Sequence, residues 1–374
     1  MTAGHVGLSF SGNIYMSTAQ TTRWSALAES VGIPTAAMLL AMLLFAGFVL
    51  AVGQSPLEVF SLLYQGGFGS AFAWQNTLLR AAPLILTGLA VALPAQAGMV
   101  IIGGEGALAL GALLAAVAAQ VLTGLPPLVV QLGMLLAGAL CGATWIGLSG
   151  WLRYYRGVNE TMSSLLLSYI GIALLNYFVE GPLKDPASLN KPSTRPIGDV
   201  NMIGNLPGLE VHYGLVIGAV LALAAWIVLR FTTIGFALRT VGGNPRAAQM
   251  AGLRVGSWIV GAAAGLAGAI EVAAVQGSAN ADVIAGYGYA GILVAFIARQ
   301  NPLAVLPVSV LIGGINAAGG MLQRRLDMPD ATVLVLQGIA FVVIIASETL
   351  IGRSYFRRSP AATVPVGAQS EAGG

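Results

Sequence analysis

TTIGFALRTVGGNPRAAQMAGLR, Thr232–Arg254, separates two apolar runs, Tyr213–Leu229 and Ser257–Val275. Each run approaches the ~20 residues that cross a hydrocarbon core of about 30 Å. The stretch itself carries Arg239, Arg246 and Arg254, follows Arg230, and contains no acidic residue. A basic connector between two spans belongs at a membrane surface, and its local grammar predicts a short helix there. Asn244 is a good N-cap, Pro245 suits the first helical position, and Gly252 can end Arg246–Ala251 in a left-handed conformation. Gly242-Gly243 offers a turn just ahead of it. Two roles are open for such a helix: an anchor whose arginines sit on anionic head groups, or a docking element that receives force from a soluble partner.

The remainder of the chain is built to match. Of its 374 residues 57% are hydrophobic and 8% charged, where a soluble domain carries about 25% charge. Apolar runs recur at Thr35–Val52, Leu78–Ala97, Glu105–Leu122, Pro127–Trp151, Thr161–Val179, Tyr213–Leu229, Ser257–Val275, Tyr287–Ala298, Pro302–Leu322 and Ala331–Ile351. The expected fold is an all-α polytopic membrane protein of about ten spans. The run at Tyr287 is too short to cross comfortably and reads as a broken or re-entrant helix, which needs protein or a cavity around it. Abundant Gly and Ala suit helices that pack closely without a hydrophobic force between them.

Most arginines fall on one side of these spans, which predicts both termini and the 231–254 loop in the cytoplasm. On that reading residues 1–34 are a cytoplasmic tail, 35–352 the transmembrane region, and 353–374 a low-complexity tail expected to be disordered. Ala51-Val52-Gly53 faintly resembles a signal-peptidase site, but so long a preceding region favours an uncleaved first span. Gln54–Gln75 is expected to be a loop, Arg80 to lie outside, and 180–212 to be a long outer loop with a short surface element.

Several chemistries are excluded. Cys141 is the only cysteine, so neither an intramolecular disulfide nor a cysteine-based metal site is available. His5 and His212 are the only histidines and are far apart, which leaves no His-centred active site. The arginines sit at helix ends rather than in one patch, so nucleic acid is not an expected partner. Neither Lys184 nor Lys191, the only lysines, follows a glycine. A phosphate-binding G-x-x-x-x-G-K-[ST] loop therefore cannot form in this chain.

Three places could carry transport. Gly103-Gly104-Glu105-Gly106 allows a sharp break that aims a helix N-terminus into the protein, where a carboxylate is stabilised by the dipole; a tight cytoplasmic turn is the plainer alternative. Asn159 and Glu160 open a helix on which Glu160, Ser164 and Ser168 share one face at i, i+4, i+8. That face could line a polar conduit or simply bond neighbouring helices. Glu271 is the one carboxylate clearly inside a span, a functional candidate by default, although snorkelling from the outer end would also explain it. Glu348 is read as structural, paired with Arg353. Tyr287 and Tyr289 could stack on a ligand or anchor at the interface.

The pattern G-x-x-L-R-x-V-G-x-N-P-x-A-A-x-x-A-G at Gly235–Gly252 resembles the cytoplasmic coupling segment of ABC-importer permeases, in the branch serving simple sugars and nucleosides. Gly103–Gly106 is similar to that family's N-I-G-x-E-G signature, with Ile101-Ile102 standing where the signature starts Asn-Ile. Gly157–Glu160, Gly181–Pro186 and Gly286–Ile292 are also similar, the second pointing to the longer of two paired permeases. The resemblance covers about residues 80–350 and implies an ATP-driven importer of nucleosides or simple sugars in the bacterial inner membrane. It implies no cofactor in this chain, ATP and Mg in a separate ATP-binding subunit, a second related permease and an extracytoplasmic substrate-binding protein. Gly235, Arg239, Gly242, Asn244, Pro245, Arg246, Ala251 and Gly252 would then couple to the ATPase. Gly104, Glu105, Asn159, Glu160, Ser164, Ser168, Glu271 and Tyr287 are the candidates for the path. The rivals are an ion-gradient-driven secondary transporter, which calls for paired carboxylates or a sodium site, and an intramembrane enzyme, which calls for a His or Asp cluster.

Overall fold

The computed structural model describes residues 32, 33, 35–188, 190–244, 248, 250 and 258–348. All regular elements longer than a turn are helical among them. They are α1 (Thr35–Ala51), then α2 (Pro56–Phe68), α3 (Ala71–Gln96), α4 (Gly104–Val121), α5 (Pro127–Arg156) and α6 (Glu160–Glu180). After the long loop come α7 (Gly214–Phe231), α8 (Thr233–Gly243), α9 (Trp258–Glu271), α10 (Tyr287–Ile297), α11 (Pro302–Leu326) and α12 (Ala331–Glu348). The chain falls into two units, residues 41–341 and, from its two ends, 1–40 with 342–374. In the second unit the described residues are helical turns, with Thr35 Oγ1 donating to the Gly32 carbonyl at 2.9 Å and Ser347 Oγ to that of Ile344 at 2.7 Å.

Six of the described helices are long and apolar enough to cross a membrane: α3, α4, α5, α6, α7 and α11. The pair α1 and α2, bent by 116°, passes the same test only when taken together. Shorter apolar helices occupy the remaining predicted runs. Burial separates centre from periphery. In α3 and α4, 72% of the apolar window is buried, against 28% in α5 and 22% in α7; the first pair is the core and the second presents apolar surface outward. From Ala81 to Ala92 every α3 residue is buried, whichever face it lies on, as befits a helix packed against α7, α9, α10 and α11. Helices α4, α5 and α9 cross through Gly111, Gly138 and Gly265, where a Cβ at Gly265 would run into the Gly138 carbonyl. Small residues at a crossing let dispersion and backbone contacts hold helices together where lipid offers no hydrophobic contrast.

Two expectations fail at the N-terminal end. Residues 54–75 are not a loop, because Pro56–Phe68 is helical with proline in its first turn. The next helix begins at Ala71 rather than near Leu78, capped by Ser70, whose side chain accepts from the Ala73 N–H at 3.1 Å. Arg80, expected outside, therefore stands about 14 Å along a helix. Pro56 and Glu58 stand in the first turn of α2 and Gly66-Gly67 lie inside it against α11, so the breaks between these helices are only a few residues long.

Candidate functional site

Segment 97–103 joins α3 to α4 and organises the site. Helix α3 ends at Gly98 in the left-handed region (φ +70°), with the Met99 N–H returning to the Pro94 carbonyl at 3.1 Å. The chain then runs along α6, whose polar face receives it. Asn159 caps α6 by accepting from the Met162 N–H. Glu160 accepts from the Val100 N–H at 3.4 Å, Ser164 from Ile102 at 3.1 Å and Ser168 from Gly106 at 2.8 Å. Arg153 pairs with Glu160 and donates to the Gly98 carbonyl at 3.1 Å. The predicted face at i, i+4, i+8 is thus present. Its acceptors hold the backbone of an extended segment, whose N–H groups have no helical partner and must be satisfied in the protein.

Gly104 begins α4, and Glu105 is completely buried one residue into it. Its carboxylate accepts from the N–H groups of Gly286 at 2.8 Å and Gly288 at 2.5 Å, and also from the backbone of Tyr289. These are the first N–H groups of α10, which starts at Tyr287 after Gly286 in the left-handed region (φ +78°). Four N-terminal N–H groups of a helix have no internal partner, and they carry the positive end of its dipole. The dipole that stabilises Glu105 therefore belongs to α10, a partner its own sequence neighbourhood does not reveal. Gly288 permits the approach, since a Cβ there would collide with the backbone N of Glu105.

Glu271 is also buried, at 6% exposure, at the end of α9. The chain continues as a π-helical turn, Val272–Gln276, and then breaks before a 3-10 turn, Ala281–Val283. Gln276 Nε2 donates weakly to Glu271 at 3.5 Å. Arg80 of α3 acts electrostatically on Glu271 and Tyr287. The predicted broken helix at Tyr287 is real, and it brings Glu105, Glu271 and Tyr287 around one discontinuity. Arg80 was missed there. Its signal was a lone charge at the edge of an apolar run, placed outside because the helix start was set too late.

One side of this break is covered by the loop between α6 and α7. The Thr194 N–H donates to the Ala279 carbonyl and Ile197 to Gly277, both at 2.9 Å, while Ile203 donates to Ala273 at 2.7 Å. Lys191 pairs with Asp282. The expected surface element is a single 3-10 turn, Asp199–Asn201. His212 closes the loop, accepting at Nδ1 from the Gly214 N–H at 3.1 Å, and burial pushes its imidazole below the ordinary value.

At the other end of α3, α8 folds back on α7. Thr232 caps it by accepting from the Gly235 N–H, and Arg239 donates to the Leu229 carbonyl. Leu238 packs with Leu229 and Ala97, against Leu93 and Met99. Gly242 is pressed to the end of α3, where a Cβ would collide with the Gln96 carbonyl; Gln96 Nε2 in turn donates to the Gln300 carbonyl at 3.0 Å. Gly242-Gly243 is thus the last turn of α8, not a free turn, because Thr232 starts a helix that the arginine pattern did not reveal. Asn244 follows, and the Ala248 N–H donates to its carbonyl at 3.0 Å, as in the first turn of a helix. Pro245, Arg246, Ala251 and Gly252 lie outside the described residues, as do residues 1–31 and 349–374 with Arg23, Glu29 and Arg353.

Among known proteins, the family described as branched-chain amino acid transport system / permease component matches residues 74–345. The glucose ABC transporter permease protein TsgB13 of Haloferax volcanii is 31% identical over 85% of this chain and 87% of its own. The guanosine ABC transporter permease protein NupP of Bacillus subtilis is 28% identical over 85% and 94%. The nucleoside ABC transporter permease protein NupC of Lactococcus lactis is 26% identical over 72% and 90%.

Proposed function

The chain belongs to this family of permease components, and from that membership we propose that it is the membrane-spanning subunit of an ATP-driven importer for nucleosides or simple sugars. Relatives named for glucose, guanosine and nucleosides support the solute class. In this reading the chain has ten spans with both ends in the cytoplasm of a bacterial inner membrane. An ATP-binding subunit, which holds ATP and Mg, docks on the 231–254 loop. A second, related permease closes the path, and a binding protein delivers solute at the 180–212 side.

One observation carries the mechanism. Gly242, at the end of α8, touches the backbone of Gln96 and Gly98, and the segment beginning there runs straight to Glu105 and the N-terminus of α10. Motion of α8 on ATP binding would push the end of α3 and the extended segment. The segment is zipped to α6 by Glu160 and Ser164, and the first turn of α4 by Ser168, so the two move as one unit against the Glu105–α10 junction. Packed interfaces switch between discrete arrangements rather than deforming continuously. On this reading Glu271, Tyr287, Gly104 and Glu105 border the path, and the α6 face forms its supporting wall.

The test is uptake in proteoliposomes holding this chain, its ATP-binding subunit and the second permease. Uptake requires internal ATP and the binding protein, and Gly242→Val lowers it while the ATPase stays bound. Uptake driven by an ion gradient without ATP would return the chain to the secondary-transporter class.

A further inference from the structure

Arg153 stands in the last turn of α5 and Glu160 opens α6, with only Gly157-Val158-Asn159 between the two helices. A cation at one helix C-terminus and a carboxylate at the next N-terminus suit both dipoles, and a pair that did no more would staple the turn. This pair reaches beyond it. Arg153 Nη1 donates to Glu160 and also to the Gly98 carbonyl at 3.1 Å, and the same Glu160 oxygen accepts from the Val100 N–H at 3.4 Å. Thr161 Oγ1 donates to the Val100 carbonyl at 2.9 Å. Three side chains around the α5–α6 turn thus grip two residues of segment 97–103. Gly98 is also where α8 meets that segment, since a Cβ built there would lie 3.3 Å from Gly242. Beyond the turn, α5 packs along α4 and α9 and meets both at Gly138.

We propose that Arg153 is a coupling residue, which carries displacement of α8 at Gly98 into α5. The inference rests on the importer reading. From Gly98 the 97–103 segment leads to Glu105 and the N-terminus of α10. From the same point α5 leads to α9, which ends at Glu271 on the other side of the discontinuity. A push at Gly98 thereby reaches both ends of the break at once. Arg153 is a positioning residue: it touches backbone rather than solute, and its guanidinium has donors enough to hold a carbonyl and a carboxylate together. The arginine is partly open to solvent, where an ion pair contributes little to stability, so its loss disturbs coupling more than folding.

Arg153→Gln, Arg153→Lys and the exchange Arg153→Glu/Glu160→Arg are compared with wild type in the assembled complex. Uptake of labelled guanosine and glucose, ATP hydrolysis and co-purification of the ATP-binding subunit are measured together. Spin labels on Tyr155→Cys and Gly243→Cys, both exposed positions, in a Cys141→Ala background report α5 and α8 without any solute. Arg153→Gln is expected to hold the ATP-binding subunit and hydrolyse ATP within about twofold of wild type while uptake falls roughly tenfold, so that ATP spent per solute rises. Arg153→Lys, whose ammonium can still donate to both partners, recovers most of the uptake. The exchange keeps the pair but turns a carboxylate onto the Gly98 carbonyl, and it stays uncoupled. On addition of ATP both labels shift in the wild-type background, and with Arg153→Gln only the one at Gly243 does. Hydrolysis and uptake that fall in proportion, uptake unchanged in Arg153→Gln, or uptake restored by the exchange overturns the proposal by leaving Arg153 a staple of the turn. A Tyr155 label that stays still while the Gly243 label shifts overturns it with Arg153 in place. Wild-type uptake that needs no ATP would instead overturn the importer reading.

Discussion

Glu105 and Glu271 are carboxylates buried at opposite sides of one helical discontinuity, and they are held in contrasting ways. Glu105 is enclosed and receives the first N–H groups of α10, so its charge is spent on joining two helix starts. Glu271 has one long bond from Gln276 and an arginine at a distance. Burial alone says little about such groups; the partners do. A carboxylate whose lone pairs are filled by backbone donors is part of the frame, whereas one left with capacity to spare is available to something that passes.

The contrast is broken most directly at Glu105. Glu105→Ala removes the acceptor of the Gly286, Gly288 and Tyr289 N–H groups, of which Gly288 is buried, and a buried donor left unpaired costs about 1–3 kcal/mol. The variant's melting temperature in detergent should fall steeply and its yield with it, with Glu105→Gln intermediate because one acceptor oxygen remains. A Glu105→Ala protein as heat-stable as wild type would end the comparison.

Glu271→Gln should do the reverse. Removing a poorly compensated charge from a span leaves folding nearly untouched or improved, so the melting temperature should hold within about 2 °C while uptake falls roughly tenfold. Equal loss of stability at both sites would make them two struts of one frame.

Ser168→Ala sharpens the comparison on the framework side. It removes one neutral acceptor from the Gly106 N–H, so scanning fluorimetry should show a loss of about 1 kcal/mol, well below that at Glu105. The smallest effect is expected at His212, outside the spans. Its imidazole is held below its ordinary value by burial, so the unfolded chain takes up the proton first. Stability is therefore full above the ordinary pKa of about 6.5 and is lost as pH falls below it. A melting temperature that drops from pH 7 to pH 5, with a flatter slope in His212→Gln, is the outcome to measure.

Much of the helical pattern was readable from composition and periodicity, because a span must be apolar over a fixed length whatever it packs against. Every predicted apolar run contains a helix. Boundaries were less readable. Pro56, Glu58 and Gly66-Gly67 look like loop chemistry, yet all four lie in α2, and α1, α2 and α3 are separated by only a few residues; the misplaced start of α3 concealed Arg80. The i, i+4, i+8 face of α6 was visible as a pattern, but whether its acceptors met water, solute or backbone depended on a segment some sixty residues away in the chain.

The sequence by itself determined that this chain is a helical membrane protein without a nucleotide-binding loop, and that its Gly235–Gly252 motif resembles a coupling segment. These are properties of composition, local periodicity and short motifs, which act within a few turns of chain. Only the tertiary structure decided that the dipole at Glu105 is that of α10, that the loop at 180–212 is stitched to 272–282, and that α8 presses on the end of α3. Hydrogen bonds and glycine contacts between segments so distant are selected by packing geometry, and no local preference encodes which distant partner a buried donor will find.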